Sequence, residues 1–309
     1  MTFPLLINND DDIDSMSSFL DWATSEATAV KAALEKSGAI IFRGFPVKSA
    51  EDFDAFTQVF DYDEFTYEES LSNAVRINLT RRVFTANEAP PDVEIFLHHE
   101  MAQTPVYPQK IFFCCLSAAE QGGASPLCRS DLLYAKFKSE HPEWAAMFVE
   151  RGLKYNTHMP ADDDEQSGQG RSWMSTLSVS NRAEAGARLG ELGYSWSWQD
   201  DGSLVTTSPQ LPAVRQLDDG SESFFNQVIA AYYGWKRRDD SSLPVLTFGD
   251  DELIPEEILD TIVELSRQFV YAAQWQDGDI ALVDNYRVMH GRYPYSGAKK
   301  RQVVVCLAQ

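Results

Sequence analysis

The sequence predicts an α+β chain, and three observations carry that prediction. Apolar runs of strand length stand at 95–101, 110–116, 279–284 and 301–307. Helical periods headed by Asp, Ser, Ser and Pro occupy 10–37, 49–60, 130–140 and 255–271. No internal repeat and no convincing linker divides the chain, so residues 1–309 are expected to form one domain. Within it, 1–61 is a helical and strand region packed on the core.

The elements follow in order. Asp10 to Ser37 is expected to be helical: Leu20, Trp22, Ala23, Val30 and Leu34 supply the apolar positions and Gly38 follows the end. Ala39 to Phe45 is a short apolar strand closed by turn residues. Ser49 to Asp52 opens a second helix with Phe53, Phe56 and Phe60 on its inner face. From Tyr62 to Pro91 the chain is polar and without a clear period. It is expected to be loop and short strands, and 62–90 is a candidate lid. Lys110 to Leu116 is apolar on both faces, the pattern of a central strand.

Gln121 to Ser125 reads as a turn, and Ser130 to Glu140 as a helix capped by Ser130 or Asp131. His141 to Trp144 restarts a short helix. Ala161 to Gly170 is acidic and aperiodic, so 156–185 is a second candidate lid loop. Tyr194 to Trp198 alternates as a strand does, and Ser223 to Trp235 and Pro255 to Tyr271 have helical composition. The chain ends in strands at 279–284 and 301–307.

Composition bounds the function. Hydrophobic residues make up 44% of the 309 positions, enough for a sizeable core. A formal charge of −21 argues against nucleic acid and anionic membrane surfaces as partners. The four cysteines, Cys114, Cys115, Cys128 and Cys306, have neither zinc-site nor disulfide spacing, which fits a reducing cytoplasm. The amino terminus has no signal-peptide pattern, and no apolar run approaches the ~20 residues that span a bilayer.

The chemistry centres on Ile95-Phe96-Leu97-His98-His99-Glu100-Met101. In a strand, residues two apart share a face, so His98 and Glu100 converge while His99 turns away. One imidazole and one carboxylate are two parts of a facial triad. His290, in Asn285-x4-His290-Gly291-Arg292, is placed to be the third. Two histidines and a carboxylate with open positions suit a non-haem Fe(II) that activates oxygen. Arg301 heads the last apolar strand. On a strand adjacent to His290 it would aim a guanidinium into the site and pair with a carboxylate. Ser125, in Gly122-Gly123-Ala124-Ser125, offers a hydroxyl to the same carboxylate. Each piece alone also has a plain reading: a packed histidine, a strand-end charge, a simple turn.

Together these residues resemble the TauD/TfdA family of Fe(II)/2-oxoglutarate dioxygenases, in its clavaminate synthase and syringomycin-pathway hydroxylase flavour. The resemblance runs from about Arg76 to the carboxy terminus. It includes Thr85-Ala86-Asn87-Glu88, His98-x-Glu100-Met101, Gly122-Gly123-x-Ser125, Phe225-Asn226-Gln227 and His290-Gly291-Arg292…Arg301. It implies a double-stranded β-helix, or jelly roll, with helices outside it. It implies Fe(II) at His98, Glu100 and His290, and 2-oxoglutarate held through its distal carboxylate by Arg301 and Ser125, with O2 as co-substrate. Ser125 departs from the family's commoner Thr, and His99 from a small or polar residue.

Glu100 keeps the acidic ligand that related halogenases lack, which argues against halogenation. Arg292, Asn226, Glu88 and His158 are candidate substrate-site residues. The implied reaction is hydroxylation of an unactivated carbon of a small amino acid or natural-product intermediate, free or tethered to a carrier protein. Desaturation and cyclisation need the same residues. A non-catalytic jelly-roll binding protein and a zinc hydrolase are the rivals from other classes.

Overall fold

Residues 2–66, 70–72, 74–86, 89–163, 170–235 and 244–309 are described by the structure, a computed structural model. The chain opens with β1 (Leu5–Asn8), α1 (Met16–Ser37), β2 (Ala39–Arg43) and α2 (Ala50–Gln58). Helix α1 starts at Met16 rather than Asp10 because Ser15 Oγ accepts from Ser18 N at 3.2 Å, which caps it there. It ends where Gly38, at φ 79, donates its N–H to Leu34 O at 2.7 Å. Helix α2 begins in a Ser49–Asp52 capping box. Phe53, Phe56 and Phe60 are fully buried, as their spacing predicts.

Next come β3 (Val83–Thr85), β4 (Ile95–His98), β5 (Lys110–Ser117), β6 (Gln121–Gly122) and β7 (Ser125–Arg129). Helices α3 (Ser130–Glu140) and α4 (Pro142–Arg151) and strand β8 (Leu153–Met159) follow. Arg129, not Ser130 or Asp131, is the cap position of α3. Then come α5 (Trp173–Leu177), α6 (Arg182–Glu191), β9 (Ser195–Trp198), β10 (Leu204–Thr207), β11 (Arg215–Gln216) and β12 (Glu222–Ser223). A three-residue α7 (Val228–Ala230) runs into a π-helical turn at Ala231–Trp235. The chain closes through β13 (Leu246–Phe248), α8 (Glu256–Ser266), β14 (Val270–Ala273), β15 (Ile280–Asp284), β16 (Val288–Arg292), β17 (Tyr295–Ser296) and β18 (Gln302–Ala308).

Two sheets position the site. One has the order β1-β2-β15-β5-β18-β3 and is antiparallel except for the β1–β2 pair. The other, β14-β7-β16-β4, is antiparallel throughout. Strand alternation sorts the first sheet's side chains. Phe112, Cys114, Ile280, Leu282, Val304 and Cys306 pack under the α1–α2 layer with Phe19 and Phe56. Ile111, Phe113, Ala281, Val283, Val303 and Val305 join Leu127, Ala273 and Val288 of the second sheet in one apolar layer. The second sheet's outer face, with Cys128 and Met289, is covered by Leu133, Phe137, Phe148 and Ile262 from α3, α4 and α8. Burying each large side chain in these layers contributes on the order of 1.5–3 kcal/mol.

Two expectations are corrected, for 156–185 and for 223–235, while 62–90 agrees with its expectation of loop and short strands. The 156–185 stretch is not loop throughout: its start lies in β8, and α5 and the start of α6 fall within it. Leu153, Tyr155 and Met159 are buried on β8, which makes it a half-buried strand. Residues 164–169, within that stretch, lie outside the described residues. Ser223 to Trp235 is not one helix: its first residue closes β12 and the helical part begins only at Val228. The 62–90 stretch is mostly irregular, with β3 inside it; 67–69, 73 and 87–88 lie outside the described residues.

Candidate active site

His98 ends β4, and β16 pairs with it so that His290 stands directly opposite. The two imidazoles are therefore cross-strand neighbours, with ring centroids 4.3 Å apart. Gly291 permits this approach, since a Cβ there would lie 2.4 Å from Ile95 O. Glu100 reaches the same point by a different route from the one its spacing suggests. The strand stops at His98, and Glu100 sits in a turn before Met101, whose φ is 59. Ligand atoms of His98, Glu100 and His290 all lie within 4.8 Å of one another.

That turn is held from several sides. Asn285 Oδ1 accepts from Glu100 N at 2.8 Å, and Asn285 Nδ2 donates to Glu100 O at 3.0 Å and to Pro108 O at 2.7 Å. His99 is not among the three gathered ligand candidates; it is fully buried and donates from Nδ1 to Asn285 O. Gln227 Nε2 donates to His99 O at 2.9 Å, and Phe225 packs on the His99 ring with centroids 4.8 Å apart. The 225–227 and 285–290 motifs thus act as supports for the segment that carries Glu100.

The electrostatics match a divalent-ion site. His98 Nδ1 donates to Phe96 O at 2.8 Å, so Nε2 keeps its lone pair. Burial, with help from neighbouring His290, pushes His98 down to about 4. Burial would push the Glu100 carboxyl up, but Arg76, with His290 and His98, outweighs it and holds the group well below the carboxylate range. Arg76 Nη2 lies 3.0 Å from Glu100 Oε1, and His290 Nε2 lies 3.4 Å from Glu100 Oε2. A neutral imidazole, an ionised carboxylate and a second imidazole gathered at one point are a donor set that fits Fe(II).

Two cavities meet at this point. The smaller, about 60 Å³, is lined by His98, Glu100, His290, Ser125, Arg292 and Arg301. The larger, about 490 Å³, shares Arg76, His98 and Glu100 and extends past Phe96, Asp92, Glu94, Gln103, Gln227 and Tyr233. Arg301 Nε donates to Gly123 O at 3.2 Å, and Arg301 has no acidic partner among the described residues. Burial, then Arg292, pushes it down to about 10, so it stays charged at neutral pH. Gly123 has φ 72, and a Cβ there would stand 3.1 Å from Arg301 Nε. Ser125 Oγ accepts from Trp275 Nε1 at 2.9 Å. Arg301 does not lie on a strand adjacent to His290: β16 and β18 belong to different sheets. The guanidinium reaches the site across the layer between them.

The substrate candidates fare unevenly. Arg292 lines the smaller cavity, but its guanidinium donates to Ala89 O, Pro90 O and Val93 O at 2.7–3.0 Å. That fixes the 89–93 segment on β16. Asn226 is buried and spends its amide locally, accepting from Val228 N and donating to Ala213 O, both at 3.0 Å. His158 is exposed on β8, bonded to Ser203 Oγ at 2.9 Å, and lines neither cavity. Glu88 lies outside the described residues. Arg76 and Trp275 are the participants that sequence reasoning misses. Neither sits in a motif with spacing, and Arg76 lies in an aperiodic polar stretch.

The buried histidines carry a pH prediction for the metal-free chain. Burial pushes His98 down to about 4 and His99 down to about 3. In the unfolded chain both titrate near ~6.5. Below that pH the unfolded state binds more protons, so folding stability is full above about 6.5 and declines as pH falls toward the folded values. Urea unfolding at pH 7, 6 and 5 should show a loss on the order of 1–3 kcal/mol per pH unit below about 6.5. A flat profile across that window would show that neither histidine is held neutral.

Residues 11–307 match the family described as "Taurine catabolism dioxygenase TauD, TfdA family". A clavaminate synthase-like protein of Arabidopsis thaliana, At3g21360, is 35% identical over 293 residues, covering 94% of this chain and 88% of that protein. The dapdiamide synthesis protein DdaC of Enterobacter agglomerans is 25% identical over 288 residues, covering 88% and 83%. Among solved structures, a taurine dioxygenase from Burkholderia xenovorans superposes with a TM-score of 0.54 at 16% identity, over 92% of this chain and 81% of that one.

Proposed function

Because this chain belongs to the TauD/TfdA family and is a non-haem Fe(II)/2-oxoglutarate-dependent dioxygenase, we propose that it hydroxylates an unactivated carbon of a small amino acid or natural-product intermediate. Succinate and CO2 would be released. In this reading His98, Glu100 and His290 hold the iron, and Arg301 with Ser125 holds the distal carboxylate of 2-oxoglutarate. The two facing sheets are read as a double-stranded β-helix with helices outside, which the shared apolar layer and the likeness to the taurine dioxygenase support.

One observation carries the assignment. A half-buried guanidinium without an acidic partner among the described residues shares one small cavity with two imidazoles and a carboxylate. A charge in that position wants an anion with planar, two-oxygen geometry. Ser125 Oγ accepts from Trp275 Nε1, which leaves its own hydrogen available to donate to a carboxylate in that cavity. Bound iron supplies oxygen activation coupled to decarboxylation of 2-oxoglutarate. The chain's own share is to orient both carboxylate-bearing molecules and to exclude water.

The larger cavity suits a small polar substrate. Asp92 and Glu94 offer negative charge, Gln103 and Gln227 offer amides, and Phe96 stacks on Tyr233 with centroids 5.5 Å apart. Such a lining favours a compound with an ammonium group. The name of DdaC places that relative in dapdiamide synthesis, which fits a small-molecule substrate. The test is anaerobic titration with Fe(II) and 2-oxoglutarate, followed by the visible charge-transfer band, then a screen of amino acids for succinate release. Iron binding with no such band at any 2-oxoglutarate concentration would defeat the proposal. Product mass then separates gain of one oxygen atom from loss of two hydrogens.

A further inference from the structure

We infer that Arg76 is a positioning residue for Glu100: it engages Oε1 and leaves Oε2 as the single oxygen offered to the metal. The inference rests on the iron assignment proposed above. Arg76 Nη2 is 3.0 Å from Oε1, whereas Oε2 faces His290 Nε2 at 3.4 Å. The two oxygens of one carboxylate are thus divided between a guanidinium and the imidazole side. Both side chains are nearly sealed from solvent, at 6% and 5% exposure, so this pair is not a screened surface contact. The guanidinium also lies over the Phe84 ring, 5.3 Å from its centroid, which holds it against β3.

The physical need is geometric. A carboxylate binds a metal through one oxygen or through both. Two imidazoles and one carboxylate oxygen take three positions on an octahedral ion. That leaves three, enough for a chelating 2-oxo acid and O2. A carboxylate bound through both oxygens would fill one of them. A charge-assisted hydrogen bond to Oε1 disfavours that mode. A buried cation this near a dication opposes metal binding electrostatically. Arg76 is therefore poorly explained as a device for retaining iron and well explained as one for shaping its coordination. The charge is also delivered from an irregular segment, 74–77, that is part of neither β4 nor β16.

The direct test is a crystal structure of the full chain loaded with Mn(II) alone. The expected result is Oε2 bound to the metal and Oε1 still on Arg76. Both oxygens on the metal, or Arg76 turned away from Glu100, would overturn the inference while leaving the iron assignment intact. Mn(II) bound without Glu100 would instead overturn the assignment and the inference with it.

Arg76→Met and Arg76→Lys supply the second arm, measured anaerobically. Arg76→Met should bind Mn(II) as tightly as the wild type or more tightly. It should need about tenfold more 2-oxoglutarate for the Fe(II) charge-transfer band. Arg76→Lys, which still offers Oε1 a donor, should lie between. Weaker metal binding in both variants would make Arg76 merely structural. A raised KM for the prime substrate with an unchanged 2-oxoglutarate titration would make it a substrate anchor. Either outcome refutes the positioning role. The Mn(II) structure decides the matter should Arg76→Met fail to fold.

Discussion

Alanine at His98, Glu100 or His290 is expected to abolish 2-oxoglutarate-dependent succinate formation and to strip Fe(II) from the protein. Each residue supplies one of three ligand atoms gathered within 4.8 Å, and no other group of His, Cys, Asp or Glu among the described residues is gathered in this way. Losing one ligand leaves a two-point site, and the two remaining ligands do not fix an ion's geometry. The rate should fall by at least about 10³, more than 4 kcal/mol in transition-state terms. His158→Ala is the matched control. That imidazole is exposed on β8 and lines neither cavity, its bond among the described residues being to Ser203, so iron content and rate should stay at wild-type levels. His99→Ala would be a poor control because His99 is fully buried against Phe225. Iron quantified in purified, anaerobically loaded protein is the measurement. Full occupancy in any of the three alanine variants would remove that residue from the site.

Arg301→Ala should raise the 2-oxoglutarate requirement by about one to three powers of ten while iron still binds. A buried carboxylate left without its charge-assisted partner costs on the order of 2–5 kcal/mol, and each ~1.4 kcal/mol is tenfold in affinity. Neighbouring cations are committed elsewhere. Lys299 Nζ pairs with Asp277 at 2.8 Å, and Lys300 is exposed. Arg292 is turned onto the carbonyls of Ala89, Pro90 and Val93. Arg301→Lys should fall between wild type and alanine, since an ammonium supplies a point charge and not a planar fork. Steady-state dependence on 2-oxoglutarate with Fe(II) saturating is the measurement. An unchanged requirement would hand the role to another cation.

What the sequence determined by itself was the set of local patterns and the chemical types at the site. Apolar residues on both faces of 110–116 mark a central strand and the apolar run 301–307 marks a strand, and both are buried on both sides in the six-stranded sheet. Ser49 and Asp52 announce the start of α2, and Gly38 the end of α1, because caps are satisfied by neighbours in the chain. His98, Glu100, His290, Ser125 and Arg301 are legible as ligand and anion-binding types in ordered motifs, and the structure brings all five to one cavity.

The tertiary structure alone decided how they meet. Strand alternation gives a correct convergence of His98 and Glu100 for an incorrect reason: β4 ends at His98, and the turn is held by Asn285, 185 residues away from Glu100. Register across two strands puts His290 opposite His98, and Arg301 arrives from the other sheet. Arg292 and Asn226 look like site residues in their motifs, but the hydrogen bonds that occupy them come from carbonyls and amides that local pattern does not reveal. Arg76 has no local signal, because a side chain's partner across a cavity is fixed by packing and not by the period of its own segment. Hydrophobic period and capping act over a few residues, whereas a site is assembled from groups distant in sequence, whose separations are set only when the sheets close over their shared core.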